Sequence, residues 1–225
     1  IEEATHAGFP MDANAVLLME VEGPIESVQE QAERIQKSCR ESNAREVRVA
    51  RSEQERELLW KGRKNAFGAV GRVSPTYYVQ DGVVPRTRIA DTLRFIHKTS
   101  EKYGIQISNI FHAGDGNMHP ILLFDDRDPD QLKRTKQAGA EILQYCIEVG
   151  GAITGEHGVG LEKRSYLPWI FTEDDIAAMM QLRTAFGADD DFNPCKIFPG
   201  GHGCGEGHAG QAQKQIAKFG GNVAI

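Results

Sequence analysis

The run ISNIFHAGDGNMHPILLFD, Ile107–Asp125, decides how this chain is read. Two segments rich in strand formers flank a polar stretch, Gly114, Asp115, Gly116 and Asn117, which is the composition of a β-hairpin turn. A turn centred between Asp115 and Gly116 sets His112 opposite His119 and Ile110 opposite Ile121. Directly opposed residues share a sheet face with Cβ atoms about 5 Å apart, close enough for both imidazoles to bind one ion. Leu123 falls on the same face, so the histidines stand at the rim of an apolar surface.

On either side of the hairpin the apolar period alternates between strand and helix. NAVLLMEVEG (Asn14–Gly23) and EVRVA (Glu46–Ala50) read as strands. Each is followed by a helix, one starting after Pro24 and one opened by a Ser52 to Glu55 capping box. YYVQDGVVP predicts another strand, and Ile89, Leu93, Ile96 and Tyr103 predict a helix that stops at Gly104. After the hairpin come a helix from Pro129 to Val149 and the short apolar run AIT. That order is β-α-β-β-α-β, the ferredoxin-like split motif, so the fold class is α+β. A final helix, capped by Thr172 with Asp175, runs to Gly187. Residues 1–200 form one domain in this reading, and the Gly-rich tail 201–225 is expected to be loosely held.

With 26 basic against 32 acidic side chains the net charge is −6, and no long Lys/Arg run appears, so nucleic acid is not an expected partner. Four scattered cysteines without a CxxC pair favour a reducing, cytoplasmic setting and ordinary thiol packing. No apolar run reaches the roughly 20 residues of a membrane helix, and the N-terminus lacks the features of a signal peptide. The first residue is Ile1 rather than Met, as in a piece of a longer protein.

AITGEHGVGLEKR (Ala152–Arg164) supplies the next polar candidates, Glu156 and His157. Two histidines and one carboxylate make a three-ligand set with positions left open, as a catalytic zinc or another first-row divalent ion requires. Glu156 suits the third place as a hard oxygen donor, and His157 beside it is left for proton transfer. Gly151, Gly155, Gly158 and Gly160 would let backbone approach a ligand. A bland alternative stands beside each candidate. A histidine in a strand is commonly a satisfied polar residue, and GEHGVG lacks the Lys-Ser/Thr of a phosphate loop. Arg63 and Lys64 lie on a solvated-looking helix, and His202, Cys204 and His208 sit in the tail.

FHAGDGNMHPILLFD and GGAITGEHGVGLEKRSYLPWIF together resemble the C-terminal, FAD-linked oxidase domain of the glycolate oxidase flavoprotein subunit. The same signature occurs in D-lactate and D-2-hydroxyglutarate dehydrogenases of the vanillyl-alcohol oxidase type. LLWKGRKNAFGAVGRVSPTYYVQDGVVPR resembles the glycolate oxidase branch, and FNPCKIFPG resembles the family's Asn-Pro-Gly-Lys segment with Cys195 in the Gly position. The resemblance implies a large antiparallel sheet flanked by helices, capping a flavin held by another domain. It implies His112, His119 and Glu156 as metal ligands, His157 as base, and Asn117 and Arg63 as substrate contacts. It further implies a small 2-hydroxy acid substrate, FAD in the complete protein but not on this chain alone, a divalent metal with zinc foremost, and an electron-acceptor subunit. Through such partners the cytoplasmic protein would sit peripheral to a membrane.

Two other function classes stay open from the residues. A two-His-one-carboxylate site also serves non-haem iron oxygenases and metal-dependent hydrolases, which oxygen-dependent turnover with bound iron would reveal. A non-catalytic metal-binding or docking module would bind metal yet leave a flavin partner's activity unchanged on loss of His157.

Overall fold

The chain divides into two units, Ile1–Arg72 and Val73–Ile225, and the computed structural model describes residues 1–186, 193 and 195–199. The tail with His202, Cys204 and His208 lies outside the described residues, as does the domain boundary expected at residue 200.

The first unit contains helices α1 (Glu2–Thr5), α2 (Ile25–Glu41), α3 (Glu53–Lys64) and α4 (Ala66–Val70). Ser52 caps α3 by accepting the Glu55 N–H, while the Glu55 carboxylate accepts the N–H of Arg51. Gly62 is the buried residue of α3, and a Cβ there would run into the Phe9 ring and lie 3.0 Å from the Cβ of Ala7. Absence of a side chain therefore lets α3 meet the N-terminal segment, which Arg48 ties down by donating to the carbonyls of Ala7 and Gly8. The strands expected at Asn14–Gly23 and Glu46–Ala50 do not form. Alternation makes a strand only where a neighbouring edge takes up its N–H and C=O groups. No such ladder exists for either segment among the described residues, and Val16, Leu17, Met19 and Val49 are exposed.

The second unit runs β1 (Thr76–Val79), β2 (Gly82–Val83), α5 (Ile89–Tyr103), β3 (Gln106–Asn109), β4 (Asn117–Met118), β5 (Pro120–Phe124), α6 (Pro129–Glu148) and α7 (Glu173–Ala185). Strands β1, β5 and β3 form one antiparallel sheet in that order, and β2 pairs with β4. The fold is α+β, but the large sheet of the expectation is replaced by these small ones. Two causes are visible: the first unit contributes no described strand, and Pro120, which has no N–H, interrupts the ladder between β4 and β5. A ferredoxin-like arrangement also needs a strand after α6, and that place is held by a single bridge between Val83 and Ala152.

The Gln80 N–H donates to the Pro120 carbonyl at 2.9 Å and carries the register across the interruption. Val79 opposes Ile121 and Gly82 opposes Met118, so Asp81 stands opposite His119. Helices α5 and α6 cover one face. Val84, Ile96, Met118, Ile142 and Cys146 form one buried cluster there, and Ile105, Leu122 and Ala138 form another. On α6 the buried positions Thr135, Ala138, Gly139, Ile142, Leu143 and Cys146 recur at the three-to-four spacing of a single helical face. Because side chains alternate across a strand, Asp81, Asn117 and His119 point to the other face. Helix α7 has both halves of its capping box, with the Asp175 N–H donating to Thr172 and the Thr172 N–H donating to Asp175. Among the described residues no helix is long and apolar enough to cross a membrane.

The hairpin register differs from the sequence-based one. His112 pairs with Asn117, and Ile110 donates its N–H to His119. The connection is thus the four-residue loop Ala113–Gly116, closed by the N–H groups of Asp115 and Gly116 on the His112 carbonyl. Gly116 adopts φ +74, and a Cβ there would strike the Val84 carbonyl, whose own N–H binds the Gly116 carbonyl. This grip from the residue just past β2 favours the longer loop. The slip amounts to two residues in pairing, an even number, so every side chain keeps its face. His112 and His119 become diagonal neighbours instead of opposed ones.

Candidate metal and catalytic centre

His119 is buried at the seam between β4 and β5 with 2% of its side chain exposed, whereas His112 and Glu156 are about half exposed, at 46% and 52%. The hairpin holds the two imidazoles with ring centroids 5.5 Å apart and near perpendicular. The loop after α6 brings Glu156 to them: its Oε1 lies 2.9 Å from His119 Nε2 and 3.8 Å from His112 Nε2. His157 stacks on His119 at 5.0 Å between centroids, with Nε2 3.7 Å from the same Glu156 oxygen.

Two ligands on a tetrahedral zinc ion sit about 3.3 Å apart when each bond is about 2.05 Å. The two histidine-to-Glu156 separations of 2.9 and 3.8 Å bracket that distance, and ligand atoms of all three residues lie within 4.8 Å of one another. The donor set fits a first-row divalent ion. Burial, and then the neighbouring His157, push His119 below the ordinary imidazole range against the pull of Asp81 and Glu156. A neutral ring is the form that ligates.

Asp81 and Lys163 lie outside the residues that the sequence pattern picks out. Their side chains are 0% and 4% exposed and meet at 2.9 Å. Burial opposes ionisation of Asp81, but donation from Thr154, Lys163 and the His157 N–H overcomes it and holds the carboxyl well below the usual range. A signal was present: YYVQDGVVP reads in sequence as a strand with a charge in its middle, and a buried charge must be paired.

Asn117 is buried, 6% exposed, and its side chain occupies the space into which a Cβ on Gly155 would project, at 2.6 Å. Its Oδ1 is buried without a hydrogen-bond partner in the protein, which suits a group that meets a ligand. The expectation that the glycines admit a ligand is corrected at two of the four. At Gly151 the space is filled by the Val83 carbonyl and at Gly155 by Asn117, whereas beside Gly158 and Gly160, at φ +77 and +54, a Cβ would meet nothing within 4 Å. Arg63 stands in the last turn of α3, in the first unit. Cys195, expected to pack as an ordinary thiol, is disulfide-bonded. It adopts φ +60, the left-handed conformation that glycine favours, at the position where the resembled segment carries Gly.

Comparison with known proteins matches residues 1–197 to the model of the FAD linked oxidases, C-terminal domain. The glycolate oxidase subunit GlcD of Escherichia coli (strain K12) is 45% identical over 205 residues, which cover 91% of this chain and 41% of that protein. The GlcD of Bacillus subtilis (strain 168) is 41% identical over 198 residues, covering 88% of this chain and 42% of the relative. The mitochondrial D-lactate dehydrogenase [cytochrome] of Arabidopsis thaliana is 26% identical over 185 residues, 81% of this chain and 33% of the relative. The chain thus spans about two fifths of the length of the GlcD relatives it matches. By this match and by the identity to two GlcD subunits, the chain belongs to the family of FAD linked oxidase C-terminal domains.

Proposed function

We propose that this chain is the substrate-side, metal-binding part of an FAD-dependent 2-hydroxy acid oxidoreductase of glycolate or D-lactate type. Residues 1–200 act as the cap, and an FAD-binding domain or subunit completes the enzyme. The observation that carries the reading is the convergence of His112, His119 and Glu156 with His157 stacked against them, in a chain of the FAD linked oxidase family. GlcD is named as a glycolate oxidase subunit, which supports a partner subunit, and the reading makes one such partner the electron acceptor. The proposed setting is cytoplasmic, with membrane proximity only through such partners.

In this reading His112, His119 and Glu156 hold a divalent ion, zinc foremost, and Asn117 and Arg63 contact the substrate. When bound, the ion supplies Lewis-acid polarisation of the α-hydroxyl and the flavin supplies the hydride acceptor. His157 takes the hydroxyl proton. Its ring is about half exposed, 47%, so it is accessible to a substrate. Its stacking on buried His119 limits the directions it can face. Asn117, with a free Oδ1, orients the substrate through a hydrogen bond.

Metal content after dialysis and flavin reduction by 2-hydroxy acids test the assignment in the protein that includes the flavin domain. His112→Ala with His119→Ala should abolish metal binding, and undiminished metal would remove the ligand set. His157→Gln should keep the metal and lose on the order of 10²–10⁴ in turnover, the range for a positioned acid/base group. Wild-type flavin reduction in that variant would refute the base, and loss of metal would make His157 a ligand.

A further inference from the structure

We infer that Asp81 is the positioning residue of this centre: paired with Lys163, its buried carboxylate clamps the Thr154–His157 loop and so sets Glu156 and His157 against the hairpin histidines. The inference deepens the functional reading and rests on it only for what the loop presents.

Asp81 Oδ2 accepts from Thr154 Oγ1 at 2.7 Å, from the Gly155 and His157 N–H groups at 3.0 Å each, and from Lys163 Nζ at 2.9 Å. Oδ1 accepts the Glu156 N–H at 3.2 Å. The Asp81 carbonyl takes the Gly155 N–H at 3.1 Å and Lys163 Nζ at 3.4 Å. Successive backbone N–H groups that converge in this way form an anion-gripping concavity. Here the anion is the protein's own Asp81.

Three features make the clamp a device of position. Asp81 stands opposite His119 in the strand register, so the loop is referenced to the β4–β5 seam that carries the histidine. Asn117 closes the other side of the loop against Gly155. Every group hydrogen-bonded to the carboxylate is a donor, so an amide in its place must turn an NH₂ toward an N–H, and His119 Nδ1 lies 3.9 Å from Oδ1. Asp81, His119 and His157 also lie close enough to hold an ion, but the donors on both carboxylate oxygens of Asp81 compete with that role. The buried charge pair fits a demand for fixed geometry, since such a pair contributes little net stability.

Hydrogen exchange and zinc titration of the 225-residue chain test this together. In metal-free Asp81→Asn, the amides of Gly155, Glu156 and His157 should exchange at least about 10-fold faster while those of α5 and α6 keep their protection. Zn²⁺ affinity should fall about 10- to 100-fold, the usual loss when a ligand's support is removed. Asp81→Asn combined with Lys163→Met removes the lone buried charge and should give the same local effect, which covers failure of the single variant to fold. Unchanged exchange at the three loop amides overturns the clamp. So does slow loop exchange with Zn²⁺ binding abolished as fully as in His119→Ala, which would make Asp81 a ligand. If the wild-type chain takes no Zn²⁺, the metal reading falls and the exchange data alone decide the clamp.

Discussion

Replacing Gly155 with Ala perturbs the centre through a single methyl group, and its effect can be worked from the contacts. The backbone there lies outside the positive-φ region, so alanine meets no conformational penalty. The new Cβ would sit 2.6 Å from Asn117 Cγ and Oδ1 and 2.7 Å from Nδ2. An ordinary contact begins near 3.4 Å, so Asn117 or the loop must yield by about 0.8 Å in a region packed at interior density. The loop is held by Asp81 through the Gly155, Glu156 and His157 N–H groups, and Asn117 is buried. Neither side yields without losing contacts. Overpacking of this kind costs about 1–3 kcal/mol, reduced by about 0.4–1 kcal/mol because alanine restricts the unfolded chain. A net loss of up to about 2.5 kcal/mol remains, which lowers the thermal midpoint by up to about 10 °C in a chain of this size. Calorimetry measures it. Asn117→Ala removes the obstructing side chain, so the double variant should be more stable than the sum of the single effects implies, by about 0.5 kcal/mol or more. Strict additivity, or a Gly155→Ala midpoint at or above wild type, would refute the steric reasoning.

Three further outcomes follow from the structure. Gly68 is exposed in α4, and a Cβ added there would have nothing within 4 Å; alanine should therefore give a gain of about 0.5–1 kcal/mol, and an unchanged or lower midpoint would count against it. Burial pushes the Cys146 thiol up to about 12, so it should resist alkylation at pH 8 in the native chain and react on unfolding; peptide mapping that shows prompt native labelling would contradict this. Glu141 accepts from Lys102 Nζ at 2.6 Å and Tyr103 OH at 2.7 Å, and the Lys102 hydrogen bond, against partial burial, holds its carboxyl below the ordinary value of 4.5. Its contribution is therefore present above that value and lost as pH falls through the folded pKa. The midpoint gap between wild type and Glu141→Gln should close on acidification from pH 7, and a gap that stays constant to pH 3 would exclude the effect.

Local chemistry carried much of this protein. The apolar period marks α2, α5 and α6, and the caps at Ser52 and Thr172 open α3 and α7, because capping and amphipathic spacing act within a few residues of one another. The presence of His112 and His119 on one face of a hairpin with a Gly-rich turn and the Glu156–His157 doublet were readable for the same reason, although direct pairing of the two histidines was not: each is a short pattern of chemically distinctive side chains. The resemblance they carry agrees with the family match over residues 1–197.

What lay beyond the sequence depends on partners distant along the chain. Alternation at Asn14–Gly23 and Glu46–Ala50 signals a strand, but a strand exists only where another edge receives its hydrogen bonds. The hairpin register was set by Val84, just past the end of β2, whose N–H grips the Gly116 carbonyl and favours the four-residue loop. Asp81 and Lys163 are separated by 82 positions. No local pattern brings such residues together, and only the antiparallel ladder of β1 and β2 with β4 and β5 sets Asp81 opposite His119. The residue types that perform chemistry are thus legible in sequence because their identity is local. Their geometry is tertiary, because a buried charge is tolerated only where distant donors have been folded around it.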